Sequence, residues 1–253
     1  MMIGSALAFA IGCAVTTYLY GITPPVGTPA QELWSKFQPQ STPQITLRYF
    51  DIRGRGEAIR LYLNELGLEY NETSFTSQEW REELKPAWSK MGLIPFGQVP
   101  SLSYNGVNLV QSHAILRFLA RKHDHSFIRM TPEEKAEIEI LADSTSDLRG
   151  QLMKIKYGSF PDEKQKSDAY LAYCTTTAME WLKKFEAYLS SSAASSPSYA
   201  TFLLFDLIDN HRTYCPPAAF SELMKANPKL AALEMSLPSR SKLAPYIASR
   251  RPA

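Results

Sequence analysis

Hydrophobic and polar positions change their period several times along the chain, and each change predicts a structural element. Gln44 to Ile52 (QITLRYFDI) is a β-branched and aromatic run, which is typical of a short strand. RGEAIRLYLNELG follows, with apolar residues at helical spacing and Gly67 as a helix stop. Leu68 to Phe75 then predicts a second strand. A strand, a helix and a strand in this order indicate a βαβ unit with a parallel pair.

Two short alternating runs flank Asn105-Gly106, which predicts a hairpin because both turn positions must tolerate positive φ. Ser112 then opens a helix, SHAILRFLARKH, with cationic residues in its last turn. Between the βαβ unit and the hairpin the sequence predicts an irregular stretch. Residues 44–124 are therefore expected to form one domain with the order β-α-β, an irregular stretch, then β-β-α.

After Phe127 the pattern predicts helices throughout. Thr131-Pro132-Glu133-Glu134 is a capping box with proline at the first helical position, and its helix is expected to reach about Tyr157. Further helices are expected over about Asp162 to Leu189 and over YATFLLFDLIDNHRTY, with prolines dividing the remainder. The sequence therefore predicts an α+β protein whose second domain, residues 128–253, is all helical.

The first 43 residues differ from this pattern. Residues 1–22 are mostly apolar and carry no charge, and at 1.5 Å per residue they could cross a hydrocarbon core of about 30 Å. Residues 23–43 contain five prolines, which favour an extended linker. The sequence indicates a membrane anchor on a linker, with a cytosol-facing domain because the first basic residues follow the apolar segment. A tail or transit segment on a soluble cytosolic protein is the alternative.

Composition changes this picture little. A net charge of +2 and 45% apolar residues are typical of a globular protein, and they argue against disorder and against nucleic-acid binding driven by bulk positive charge. The three cysteines, Cys13, Cys174 and Cys215, are too scattered for a disulfide framework, and no Cys/His ligand spacing occurs. We therefore expect no metal site and a reducing compartment.

Four segments, LRYFDIRGRGEAIRLYL, PFGQVPSL, QSHAILRFLARKH and SDLRGQLMKIKY, resemble in order and spacing the soluble glutathione transferases of the tyrosine type. The pi, mu and sigma classes are the most similar, and the resemblance covers about 210 residues from Gln44 onwards. It implies a thioredoxin-like domain that binds glutathione, a helical domain that supplies the second-substrate pocket, and a homodimer. Glutathione would be a co-substrate, and no cofactor is implied.

The resemblance assigns catalysis to Tyr49 and Arg55. Tyr49 matches the tyrosine whose hydroxyl donates a hydrogen bond to the glutathione sulfur, and Arg55 matches an arginine near that sulfur. Lowering the pKa of the thiol by about two units needs about 2.7 kcal/mol, which is within reach of a hydrogen bond to a charged acceptor. Without the motif, Tyr49 would be expected to be a core aromatic, because strands are rich in such residues.

The resemblance also assigns the glutathione-binding residues. Val99-Pro100 matches a cis-proline that leaves the preceding backbone free to pair with glutathione, and Ser112 matches a helix N-terminus that suits a carboxylate. Because the interval before Gln98 is long, Trp88 or Lys90 could replace Trp80 or Lys85. The full assigned set is Tyr49, Trp80, Lys85, Gln98, Val99, Pro100, Gln111, Ser112 and, from the partner subunit, Asp147.

Asp147 lies on a polar stripe of the helix that begins after Thr131, a pattern that usually marks only a solvated face. Phe50 and Tyr157 are expected to line the second-substrate pocket, and His113, where relatives often have asparagine, is expected to be structural. The first functional hypothesis is conjugation of glutathione to hydrophobic electrophiles. The alternatives are a glutathione-dependent isomerase or peroxidase acting on lipid-derived substrates, and a binding protein without turnover.

Overall fold

The computed structural model describes residues 44–191 and 197–251. The predicted anchor, residues 1–22, and the predicted linker, residues 23–43, lie outside the described residues. None of the helices within the described ranges is long and apolar enough to cross a membrane.

A four-stranded mixed sheet forms the first half of the described chain. Its strands are β1 (Ile45–Phe50), β2 (Asn71–Phe75), β3 (Ser101–Tyr104) and β4 (Val107–Val110), in the order β2-β1-β3-β4. β1 pairs parallel with β2 through helix α1 (Glu57–Leu66), and β3 pairs antiparallel with both β1 and β4. The βαβ unit and the hairpin are confirmed, and both hairpin turn residues have positive φ, 47° at Asn105 and 84° at Gly106.

The stretch between β2 and β3 is largely helical, so the prediction of an irregular segment was wrong. It contains α2 (Ser77–Glu79), a π-helical turn (Trp80–Leu84) and α3 (Lys85–Lys90). Thr76 Oγ1 accepts a hydrogen bond from the Glu79 amide at 3.2 Å, and Glu79 accepts one from the Thr76 amide at 2.7 Å. This capping box was present in the sequence as T-x-x-E and is the signal that could have predicted the helix.

The remaining helices follow the predicted order. They are α4 (Ser112–His123), α5 (His125–Arg129), α6 (Pro132–Lys156), α7 (Glu163–Tyr173), α8 (Met179–Ser191), α9 (Tyr199–Tyr214), α10 (Pro217–Ala226), α11 (Pro228–Ser236) and α12 (Ala244–Ser249). The capping box at Thr131 and the bounds of α9 are confirmed. The single helix expected from Asp162 to Leu189 is α7 and α8, joined by a π-helical turn at Cys174–Ala178. The α+β class is thus confirmed.

Helix α9 is central to the fold because it packs against both α1 of the sheet half and α6 of the helical half. Nearly all of its side chains up to His211 are buried, in a core that extends from β1 and β3 through α1 to α6. The turn after β1, the start of α1 and the facing sides of α6 and α9 therefore meet at one place, where the candidate site lies.

A disulfide joins Cys174 to Cys215, with 6.0 Å between the two Cα atoms. The sequence predicted no disulfide framework from three scattered cysteines, and it did not reveal this single bond. Cys174 begins the π-helical turn after α7, and Cys215 directly follows α9. Packing of these elements brings residues 41 positions apart into contact, a juxtaposition that linear spacing does not reveal.

Candidate active site

Tyr49, next to the last residue of β1, is only 6% exposed. Its hydroxyl oxygen accepts a hydrogen bond from the backbone amide of Arg55 at 2.8 Å. Burial raises the pKa of Tyr49 above its ordinary value, and the hydrogen bond from Arg55 opposes this only in part. The hydroxyl therefore keeps its proton at neutral pH, and that proton can be donated to another acceptor.

Two glycines of the RGRGE motif make room for this ring. A Cβ on Gly54, whose φ is +45°, would lie 2.6 Å from the Tyr49 hydroxyl oxygen. A Cβ on Gly56 would lie 2.7 Å from the ring atom Cδ1. Such distances are too short for carbon atoms in contact, so any side chain at either position would displace Tyr49. This requirement escaped prediction from the sequence, although both glycines stand close to the tyrosine along the chain.

The turn between β1 and α1 is held by the fully buried guanidinium of Arg60. It donates hydrogen bonds to the carbonyl oxygens of Ile52 at 2.9 Å and Arg53 at 3.1 Å, and to the Glu72 carboxylate at 2.7 Å. Buried charges are tolerated when paired and hydrogen-bonded in this way. The backbone amide that contacts Tyr49 is therefore presented by a fixed turn.

A cavity of about 420 Å³ opens beside this turn, a volume typical of small-molecule sites. The Val99-Pro100 peptide bond at its edge is cis, as expected. Lining residues come from the β1 end, the helical insertion, the segment before β3 and the start of α4: Phe50, Arg55, Trp80, Gly97, Gln98, Val99, Pro100, Gln111 and Ser112. Six of the nine assigned glutathione-binding residues thus surround one cavity, which is called the first cavity below.

Helix α4 begins at Ser112, as the sequence predicted. Gln111, not Ser112, is the N-cap, and Ser112 is the first helical residue. Gln111 has φ of 69°, a region that favours glycine, and its side-chain amide donates to Gln98 Oε1 at 3.2 Å. Strained backbone of this kind is concentrated at functional sites. The free amides of the first turn of α4 lie next to Ser112 on the wall of the first cavity.

The sequence left two choices open, Trp80 or Trp88 and Lys85 or Lys90, and the structure distinguishes between them. Trp80 lines the first cavity, whereas Trp88 is buried against Phe75 and Ile94. Lys85 approaches the cavity wall, because a Cβ on Gly97 would lie 3.9 Å from its ammonium nitrogen. Lys85 and Lys90 are both exposed and neither lines the cavity itself, so the approach of Lys85 to Gly97 is what distinguishes the two lysines. The geometry therefore favours Trp80 and Lys85.

A second cavity of about 270 Å³ lies on the other side of Tyr49 and Arg55, between the turn after β1 and helices α6 and α9. Tyr157 lies on its wall, as expected. Phe50 was expected there too, but it lines the first cavity, where its ring contacts Trp80 at 5.8 Å between centroids. Side chains alternate across a strand, so Tyr49 and Phe50 point to opposite faces.

The second cavity contains charged residues that the sequence analysis did not identify. Arg53 forms an ion pair with Asp209, and Arg149 forms one with the buried Asp206. Lys156 donates a hydrogen bond to the Tyr214 hydroxyl. Arg149 and Lys156 stand in SDLRGQLMKIKY, but their orientation depends on how α6 packs against α9.

Three remaining expectations concern α4 and α6. His113 contacts Asp143 at 3.1 Å and Ser146 at 3.2 Å, and burial lowers the pKa of His113, which fits a structural residue. Asp147 is exposed on α6 and lines neither cavity, so its role toward a partner subunit stays a prediction. Within residues 44–191 and 197–251, no group of three or more His, Cys, Asp or Glu side chains could hold a metal ion.

Known proteins match both halves of the described chain. Residues 45–121 match the family model of the glutathione S-transferase N-terminal domain, and residues 146–250 match a model of the C-terminal domain. Glutathione S-transferase P 1 of Bufo bufo is 31% identical, with 82% of this chain and 93% of the relative covered. Glutathione S-transferase Mu 2 of Mus musculus is also 31% identical, with coverage of 82% and 92%.

Among solved structures, a pi-class glutathione S-transferase of Onchocerca volvulus superposes with a TM-score of 0.67 at 25% identity. The superposition covers 81% of this chain and 92% of the other. The fold, the two matched domain models and relatives of similar length agree with one another. This chain belongs to the glutathione S-transferase family.

Proposed function

We propose that the enzyme transfers the thiolate of reduced glutathione to the electrophilic carbon of a second substrate, with glutathione in the first cavity and the electrophile in the second. The observation that carries the proposal is the position of Tyr49, whose buried hydroxyl accepts from Arg55 and keeps its own proton. Arg55 lines both cavities, and Tyr49 is on the wall of the second, so the reacting atoms would meet beside these two residues.

Glutathione would be held largely by backbone. The carboxylate of its γ-glutamyl group fits the free amides at the start of α4, beside the Ser112 hydroxyl. Its cysteinyl portion would pair with the backbone of Val99, which precedes the cis-proline. Lys85 and Trp80 lie on the side of the first cavity where they could contact the glycine carboxylate.

The chemical step needs an anionic sulfur. A free thiol has a pKa near 8.5, so a few per cent is thiolate at neutral pH. A hydrogen bond from the Tyr49 hydroxyl stabilises the thiolate more than the thiol and lowers the pKa of the bound thiol. The Arg55 side chain, on the boundary of both cavities, adds favourable charge. The thiol releases its proton to solvent, the thiolate attacks the electrophilic carbon, and the leaving group departs with its bonding electrons.

Replacement of Tyr49 by Phe tests this assignment. We expect turnover with 1-chloro-2,4-dinitrobenzene at neutral pH to fall by roughly tenfold or more, with the Michaelis constant for glutathione little changed. Tyr104→Phe is a matched control, because Tyr104 is equally buried in the sheet and its hydroxyl contacts His123 outside both cavities. Unchanged turnover and an unchanged pKa of bound glutathione in Tyr49→Phe would remove this residue from the mechanism.

We also propose that the enzyme acts as a homodimer in which Asp147 contacts glutathione of the neighbouring subunit. The exposure of Asp147 and its absence from the walls of both cavities of its own chain support this arrangement. Asp147→Ala should raise the Michaelis constant for glutathione more than it lowers turnover. Sedimentation that finds a fully active monomer would contradict the proposal.

Membrane attachment through residues 1–22 stays a prediction from the apolar pattern of that segment. The full chain is then expected to remain with membranes after a carbonate wash, whereas a chain starting at Gln44 is expected to be recovered in the supernatant with equal activity. Recovery of the intact full chain in the supernatant would refute the anchor.

A further inference from the structure

The second cavity is far more cationic than a pocket for purely hydrophobic compounds needs to be. Four of the side chains on its wall, Arg53, Arg55, Arg149 and Lys156, carry positive charge, and Asp209 supplies the single carboxylate among the residues that line it. Met153 is the largest aliphatic side chain on the wall, and the other apolar surface comes from tyrosine rings.

Ion pairs neutralise two of these cations but not the others. Asp209 pairs with Arg53 and Asp206 pairs with Arg149. For Arg55 and Lys156, no carboxylate of the described ranges, 44–191 and 197–251, lies within 4 Å. Asp209 is in addition shared with Arg250 at 3.0 Å, so it has little capacity left for a further cation. Arg55 lies between the cavities, where the glutathione thiolate can serve as its anionic partner. Lys156 then remains without an anionic partner among the described residues.

Lys156 is held in one place by aromatic neighbours. Its ammonium nitrogen lies 4.7 Å from the ring centroid of Tyr214 and 5.5 Å from that of Tyr157, and it donates to the Tyr214 hydroxyl. The Tyr214 ring is itself stacked on Tyr170, with an angle of 11° between the planes. The ammonium group has three protons, so after the bond to Tyr214 it can still donate to an anion in the cavity.

We propose that the second cavity selects electrophiles that carry a carboxylate, which Lys156 binds while the unsaturated or aromatic body of the molecule lies against Tyr157 and Tyr214. This inference rests on the proposed function of glutathione conjugation. With an aryl chloride as substrate, the new carbon–sulfur bond forms as the carbon–chlorine bond breaks. Chloride leaves with the electron pair, and the carboxylate is unchanged.

A matched pair of substrates tests the proposal: 4-chloro-3,5-dinitrobenzoate and 4-chloro-3,5-dinitrobenzamide. For each, kcat/KM is divided by the rate constant of the uncatalysed reaction with glutathione, which removes their difference in intrinsic reactivity. The wild-type enzyme should prefer the benzoate, and Lys156→Gln should lower that preference by roughly fivefold, about the effect of a half-buried ion pair. Lys154→Gln, an exposed lysine on the same helix and outside the cavity, should keep the wild-type ratio.

The outcomes are distinguishable. No enzymatic turnover of 1-chloro-2,4-dinitrobenzene or of either compound would refute the proposed conjugation itself. Turnover of 1-chloro-2,4-dinitrobenzene alone would refute the anion site while leaving conjugation in place. Turnover of both compounds without a preference for the benzoate, or an equal loss for both in Lys156→Gln, would refute the anion site while leaving conjugation in place. A higher Michaelis constant for glutathione in Lys156→Gln, with an unchanged benzoate preference, would assign Lys156 to glutathione and also overturn the proposal.

Discussion

The two cavities lie on either side of Arg55 and are built in different ways. The first is shaped mainly by backbone: a cis peptide at Val99-Pro100, positive φ at Gly97 and Gln111, and the free amides of a helix start. The second is shaped by side chains from the turn after β1, from α6 and from α9. A backbone site recognises one fixed peptide, whereas a side-chain site can change its chemistry by substitution without loss of the fold.

Of the two halves of the described chain, the helical half should show the larger changes in the free energy of unfolding. The disulfide links residues 41 positions apart, and removing such a link lowers the free energy of unfolding by about 3 to 4 kcal/mol. We expect this loss in the double variant Cys174→Ala/Cys215→Ala, measured by urea denaturation, with the Michaelis constant for glutathione unchanged at 25 °C. A loss below about 1 kcal/mol would show that packing alone holds this half.

The same half should also be acid-sensitive through His211. Burial lowers the pKa of His211 to about 4, while Nδ1 donates to the Leu207 carbonyl and Nε2 accepts from Tyr173. An unfolded histidine has a pKa near 6.5, so below that pH the unfolded state binds the additional proton. The free energy of unfolding should therefore fall by up to about 3 kcal/mol between pH 6.5 and pH 4.

His211→Gln isolates this contribution, because glutamine cannot take up the proton. Denaturation curves at several pH values should show a smaller slope in the variant than in the wild type over the same interval. Equal slopes would mean that other groups account for the acid sensitivity.

Turnover should be more sensitive to substitutions in the sheet half than to substitutions in the helical half. Gly56→Ala has an allowed backbone conformation, with φ of −78°, but its new Cβ would lie 2.7 Å from the Tyr49 ring. Displacement of the hydroxyl should lower turnover by roughly tenfold, as in the loss of one positioned hydrogen bond. Gly150→Ala is the control, because no atom lies within 4 Å of a Cβ there and turnover should stay at the wild-type level. Turnover of Gly56→Ala within twofold of wild type would contradict the close fit.

The smallest effect concerns the rim of the first cavity. Lys85→Gln should raise the Michaelis constant for glutathione by about threefold, the contribution of a solvent-exposed ion pair. Lys90→Gln removes the same charge five residues away and should leave that constant unchanged. The reverse result would assign the glycine carboxylate to Lys90.

Most residues that line the first cavity could be named from the sequence because they stand in contiguous segments. PFGQVPSL and QSHAIL contain both the residues and the backbone features that line it. Lys156 and Asp209 could not be predicted in the same way, since they are 53 positions apart and come to line one cavity only when α6 packs on α9. The Cys174–Cys215 pairing escaped prediction for the same reason. The helix after Thr76 was also missed, although the capping box that begins it was present in the sequence.

The burial of the disulfide limits how readily an external thiol can reduce it. Thiol–disulfide exchange requires a thiolate to reach one of the two sulfur atoms, and Cys174 is 0% exposed and Cys215 4% exposed. Burial of both sulfur atoms thus restricts the access of any thiol, glutathione included, to the sulfur–sulfur bond. Exchange with an external thiol therefore requires the helical half to open around Cys174 and Cys215.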